Sequence, residues 1–193
     1  MPRRLPSRGA AAAAASASPA PAIRTERAYG ARNYDPLPVV LTDGEGAWVR
    51  DEHGRRYLDM MSAYSAVSHG HAHPRLVRAL TEQAQRLAVT SRAFHNTRLP
   101  EFLRRLTEVT GLDRALPASG GAEAVETALK AARKWGHKVK HIPDGRAEII
   151  VCDGNFHGRS IAIVGFSSEP QYRDGFGPFP PGFVSIPYGD AAA

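Results

Sequence analysis

At 193 residues the chain can bury a sizeable core in one large domain or two small ones. Its formal net charge of +6 is uneven: Arg3, Arg4, Arg8 and Arg24 lie in the first 25 residues with no acidic residue, which leaves +2 for the remainder and no basic stripe interleaved with aromatics, so a nucleic-acid binder is excluded. The single cysteine, Cys152, rules out an internal disulfide and suits a reducing compartment, and no apolar run approaches the roughly 18 residues of a membrane span.

Met1 to Ala22 is rich in Ala, Ser, Pro and Arg, has no periodicity and offers little to bury, so it is expected to be disordered within an extension reaching residue 28. The same composition fits either an organelle transit peptide or a bland alanine-rich extension on a bacterial protein. The first places the protein in the mitochondrial matrix and the second in the cytoplasm. Tyr29 to Pro38 is a proline-punctuated arm, and Val39-Val-Leu41 reads as extended. Ala47–Arg50 and Arg55–Asp59 flank a Gly54-containing turn, the pattern of a β-hairpin. Met60 to His73 is loop-like. His69, His71 and His73 alternate as metal ligands on a strand would, but Gly70 and Pro74 argue against a regular strand there.

Pro74 suits the first position of a helix whose apolar face is Leu76, Leu80, Ala84 and Leu87. A second helix carries Leu99, Phe102, Leu103, Leu106 and Val109 and ends at Gly111. Ser119-Gly-Gly121 then opens a third helix with Val125, Leu129, Ala132 and Trp135 on one face. Gly120 as N-cap puts Glu123 at the third helical position, where it can bond back to the cap. Small residues in front of the unpaired N–H groups and positive dipole end of a helix suit a phosphate, although an ordinary glycine-started helix gives the same pattern. Ile149–Cys152 and Phe183–Ile186 read as strands, and their alternation with helix points to a parallel α/β sheet.

Taken together, Leu116–Trp135, Asn155-Phe-His-Gly-Arg159, Asp174-Gly-Phe-Gly-Pro178 and Pro187-Tyr-Gly-Asp190 resemble the class III pyridoxal-phosphate aminotransferases. Asn33-Tyr-Asp-Pro-Leu-Pro38, Ser62-Ala-Tyr-Ser-Ala66, Gly70-His-Ala-His-Pro74 and Thr90-Ser-Arg-Ala-Phe94 fit the ornithine-type branch of that family. The resemblance implies a partial α/β fold of PLP transferase fold type I. Its parts would be an N-terminal segment with the hairpin over residues 29–75 and the first part of the large PLP-binding domain over 76–193. Chains of the family are longer, so this one is expected to be an N-terminal portion.

The resemblance further implies pyridoxal 5'-phosphate as cofactor, with Gly120, Gly121 and Ala122 at its phosphate and Phe156 stacked on its ring. Arg159 would clamp a substrate carboxylate, and Tyr34 and Tyr64 would line the substrate pocket. From the residues alone, Phe156 could be a core aromatic, Arg159 half of a structural ion pair, and Tyr34 a packed loop aromatic. The implied reaction moves the δ-amino group of ornithine to 2-oxoglutarate, giving glutamate semialdehyde, which cyclises to pyrroline-5-carboxylate, and glutamate. Acetylornithine or 4-aminobutyrate as amino donor, or a non-catalytic fragment, are the alternatives. A homodimer is implied for the full-length enzyme. The family's Schiff-base lysine is not matched, because the four lysines, Lys130, Lys134, Lys138 and Lys140, all sit in or just after the third helix.

Overall fold

A computed structural model of the chain describes residues 20–193. The expected disorder and the transit-peptide reading of residues 1–19 lie outside the described residues. The chain divides into two compact units between His95 and Asn96. Around the boundary expected after residue 75, the first amides of the helix at Pro74 bond to His73 O, and His71 is itself bonded to the hairpin.

In the first unit, α1 (Pro21–Tyr29) replaces the disorder expected up to residue 28. Pro21 at the first turn presets the helical φ, and the following Ala, Ile, Arg and Glu residues are compatible with it, yet no α1 residue is buried. After the arm come β1 (Leu41–Glu45), β2 (Trp48–Asp51) and β3 (Arg56–Leu58), an antiparallel sheet in the order β1-β2-β3. The expected hairpin is present, with Val49 opposite Tyr57, and β1 extends it by a strand. Asp51, 3% exposed, ties the tight turn: its carboxylate accepts from the amides of His53 and Arg55, from Arg55 Nε at 2.6 Å and from Tyr57 Oη at 2.9 Å.

The loop from Asp59 contains α2 (Ser62–Ser65), a single turn of inverted hand in which four consecutive non-glycine residues have φ of 47°, 46°, 56° and 70°. α3 (Pro74–Ala84) follows with Pro74 at its start, as the sequence predicts. Its apolar face is uncovered: Leu76 and Leu80 are exposed, as is Leu87 beyond the helix.

In the second unit, α4 (Leu99–Thr110) starts where Asn96 Oδ1 accepts the amides of Arg98 and Leu99, and ends where Gly111 turns left-handed at φ 70°. α5 (Gly121–Lys138) has Gly120 as its N-cap. β4 (Ile149–Cys152) and β5 (Phe183–Ile186) pair in parallel, with α6 (Ile161–Gly165) and α7 (Pro170–Arg173) between them in sequence. The core is Val151, Ile163 and Phe166, covered by Ala122, Val125, Leu129, Ile149 and Phe183. Ile163 is 1% exposed, and such a buried side chain contributes about 1.5–3 kcal/mol.

The buried face of α5 departs from expectation beyond Leu129. Trp135 is exposed and carries Lys140 Nζ over its ring at 5.0 Å, and Ala132 is exposed too. The face runs instead through Arg133, whose guanidinium lies 4.9 Å from the Phe183 ring, and the buried Gly136 against Ala147 and Ile142. Those positions continue the spacing of Ala122, Val125 and Leu129 more closely than Ala132 and Trp135 do. Among the described residues no helix is long and apolar enough to cross a membrane.

Candidate active site

Two sets of candidate residues occur, one in each unit. In the second unit the site begins at the start of α5. Ala124 N bonds to Gly120 O at 3.0 Å, so the amides of Gly121, Ala122 and Glu123 precede the first intrahelical bond. A methyl group placed on Gly120 or Gly121 would meet nothing within 4 Å, so the space on the Cβ side of both glycines is open. Glu123 does not bond back to Gly120 as expected. Its carboxylate accepts from the amide of Ser119 at 2.8 Å and from the Ser119 hydroxyl. The Ser119 hydroxyl and then its amide hold the Glu123 carboxyl below its ordinary value. The reason is the extended Gly120 backbone (φ −157°, ψ 166°), with Ser119 amide and hydroxyl both offered to the carboxylate.

The loop after β4 is pressed onto this helix start. Gly158 has φ +126°, and a Cβ there would lie 2.9 Å from Ala122 Cβ. Only a glycine allows the loop that close. Asn155 braces the loop from beneath: Nδ2 donates to Cys152 O at 2.6 Å, and Oδ1 lies 2.9 Å from His157 Nδ1. On the far side of Gly158, Ser160 donates to Glu126 on α5.

Phe156 and Arg159 thus flank the contact with Ala122. Phe156 is 64% exposed, so its ring is not the core aromatic the sequence also allowed. Its edge meets Tyr172 at 6.2 Å with planes 69° apart. The Arg159 guanidinium lies 4.9 Å from the same Tyr172 ring, and among the described residues it forms no ion pair. Tyr172, which sequence reasoning missed, stands beside both candidate side chains. It stands in the short α7 with no spacing signal, and only the folded chain brings it under both side chains.

In the first unit, Tyr34 from the arm and Tyr64 from the inverted turn meet through their hydroxyls at 2.8 Å. Tyr34 is therefore tied to a second tyrosine thirty residues on, although both remain exposed. The alternating histidines do not converge. His71 Nε2 lies 2.7 Å from Asp59 Oδ2, whereas the His69 and His73 rings meet edge-on at 6.4 Å. The bond from His71, with the amides of Ser62 and Met61, holds the Asp59 carboxyl below its ordinary value, against an opposing effect of burial. Asp59 also escaped the sequence reading, because its partner lies across a loop. The four lysines are exposed along or just past α5.

A model of the aminotransferase class-III family matches residues 29–193. The ornithine aminotransferase of Brevibacillus brevis is 56% identical over 170 residues, which is 88% of this chain and 42% of the relative. The crystal structure of the ornithine aminotransferase of Toxoplasma gondii superposes with a TM-score of 0.86 at 39% identity, over 96% of this chain and 44% of that one. The acetylornithine aminotransferase of Elizabethkingia anophelis is 54% identical with a TM-score of 0.74, over 88% of this chain and 41% of that one. The chain shares their α/β fold in part, and it spans less than half the length of the relatives it matches.

Proposed function

We propose that this chain, which belongs to the class-III aminotransferase family, carries the phosphate cup and the ring- and carboxylate-binding residues of an ornithine δ-aminotransferase. The cofactor is pyridoxal 5'-phosphate, and the reaction converts ornithine and 2-oxoglutarate into glutamate semialdehyde, with its cyclic form pyrroline-5-carboxylate, and glutamate. The observation that carries this reading is the seating of Gly158 on Ala122, which joins an open, amide-rich helix start to a loop bearing Phe156 and Arg159.

The residues present fit the cofactor. The amides of Gly121 and Ala122, with Gly120 leaving the approach clear, suit a phosphate dianion. The exposed Phe156 ring suits one face of a pyridine. When bound, pyridoxal phosphate supplies the electron sink that an amine-bearing carbon needs to lose its proton. Arg159 grips a carboxylate, chiefly that of 2-oxoglutarate, through two parallel hydrogen bonds. Tyr172 stiffens both side chains, because one ring takes the edge of Phe156 and the charge of Arg159. Tyr34 and Tyr64 present a joined pair of hydroxyls as one wall of the amino-acid pocket.

No lysine of this chain serves as the covalent nucleophile. Lys130 and Lys134 lie about 13–20 Å along α5 from the cup at ~1.5 Å per residue. Residues 1–193 are therefore inactive by themselves, with no lysine placed to form the Schiff base. The complete enzyme is a cytoplasmic homodimer. An N-acetylornithine donor is the second reading, favoured by the Elizabethkingia anophelis match.

The test is a chimera in which the matched 170 residues replace the corresponding segment of the Brevibacillus brevis enzyme. Turnover of free ornithine in preference to acetylornithine supports the proposal. Preference for acetylornithine selects the second reading, and a folded chimera without aminotransfer overturns both. Residues 1–193 alone, treated with pyridoxal phosphate and borohydride, should give no stoichiometric adduct on a single lysine.

A further inference from the structure

The inverted turn Ser62–Ser65 is the most strained backbone among the described residues. A left-handed helical conformation costs about 1–2 kcal/mol for each L-residue, and here four occur in succession without a glycine. Such a turn persists only where its surroundings over-determine it, and strain of this kind gathers at functional sites.

The surroundings are a closed loop. Asp59 N bonds to Ala47 O at 2.9 Å, and His71 exchanges both backbone bonds with Gly46, at 2.8 and 3.0 Å. The two ends of the 59–71 loop are thus fixed to adjacent residues of the β1–β2 turn. Glycines permit the approach: a Cβ at Gly44 would lie 2.9 Å from His71 Cγ, and one at Gly70 would lie 3.0 Å from Gly46 Cα. The side chains then close the ring. Asp59 Oδ2 meets His71 Nε2 at 2.7 Å, while Asp59 Oδ1 accepts the amides of Met61 at 3.0 Å and Ser62 at 2.8 Å. One carboxylate therefore joins the loop's far end to the first residue of the strained turn. Two residues later stands Tyr64, whose hydroxyl meets Tyr34.

We infer that Asp59 and His71 are positioning residues that lock the inverted turn and so fix Tyr64 against Tyr34 in the pocket for the amino-acid substrate. The inference rests on the reading that Tyr34 and Tyr64 line that pocket. Neither Asp59 nor His71 touches substrate. Each acts through the loop, since the backbone conformation that aims Tyr64 is not one its own residues prefer.

Two experiments separate this inference from the reading beneath it. In the full 193-residue chain, chymotryptic cleavage after Tyr64, located by mass spectrometry, should accelerate about tenfold or more in His71→Ala and Asp59→Ala as the turn opens. His69→Ala, whose ring does not reach Asp59, should not change it. In the chimera, His71→Ala should raise the ornithine KM about tenfold with kcat nearly unchanged. Combining it with Tyr64→Phe should cost no more than the worse single change, since both lose one arrangement. His71→Gln, which keeps an N–H donor, should recover most of the loss, and Asp59→Ala takes the place of His71→Ala should that variant fail to fold. Unchanged cleavage at Tyr64, or additive effects with Tyr64→Phe, would overturn the inference. A chimera that folds but turns over nothing defeats the functional reading, and the cleavage pattern then decides the loop lock by itself.

Discussion

Gly158→Ala probes the joint between the cup and the Phe156–Arg159 loop. Alanine would have to adopt φ +126°, a region L-residues rarely enter, at a cost of about 1–3 kcal/mol. Its methyl would also sit 2.9 Å from Ala122 Cβ and 3.3 Å from both Ala122 Cα and Ile163 Cδ1. Ile163 is a core side chain with nowhere to retreat, so overpacking adds about 1–3 kcal/mol. The sum, about 2–6 kcal/mol, should appear as lost stability in urea denaturation of the chimera. Because the loop is displaced from the helix start, pyridoxal-phosphate affinity should fall as well. Ala122→Gly in the same background removes the nearest contact but not the backbone strain, so it should restore only part of the loss. A cost below about 0.5 kcal/mol, typical of an uninvolved surface site, would refute the reasoning. So would a complete absence of rescue by Ala122→Gly.

Phe156→Ala should weaken cofactor retention beyond the loss of buried area by about 0.5–1.5 kcal/mol, roughly two- to thirteenfold, read by dialysis against apo-chimera. Arg159→Lys keeps the charge but loses the two-pronged geometry and the guanidinium contact with Tyr172, so the KM for 2-oxoglutarate should rise at least several-fold, and an unaltered KM would reassign Arg159 to structure. At Asp51, burial pushes the carboxyl up, but hydrogen bonds from the Arg55 amide and guanidinium, Tyr57 and the His53 amide outweigh it and hold the group well below its ordinary value. The stability this supplies is present above the unfolded carboxyl value of about 4 and is lost as pH falls below it. Asp51→Asn should therefore lower the melting temperature at pH 7 and flatten the acid limb of the stability profile; an acid limb identical to that of the parent would count against it.

Local chemistry made much of this chain legible. Pro74 starts α3, Gly111 ends α4 in a left-handed residue, and Gly120 caps α5, each because backbone freedom or its absence acts within a residue or two. The hairpin over Trp48–Leu58 and the parallel pairing of β4 with β5 likewise follow from alternation and element order. What stayed hidden depends on distant partners. Nothing in Ser62-Ala-Tyr-Ser65 asks for a left-handed turn; the tie between Asp59 and His71, twelve residues apart, accompanies it. Trp135 looked like core by spacing, but the β4–β5 side of α5 is filled through Leu129 and Arg133 instead. Tyr172 gained its place only when α7 came beside the Phe156 loop. Of the candidate site, Gly120, Gly121, Ala122, Phe156 and Arg159 were named from the motifs, and the structure gathers them in one unit, whereas Tyr172 beside Phe156 and Arg159 was invisible.

The seat of the His71 ring on Gly44 also constrains how this sequence can drift through descent. Any side chain at position 44 collides with the imidazole, and any at 70 collides with the backbone of Gly46. A lineage that abandons the imidazole at 71 removes only the nearest contact of a side chain at 44, because the Cβ of residue 71 at 3.0 Å and Val49 Cγ1 at 3.2 Å still crowd it. Among homologues, positions 44, 49, 59 and 71 should therefore be exchanged as a set, so that joint substitution at these four sites marks branches in which the loop has been rebuilt.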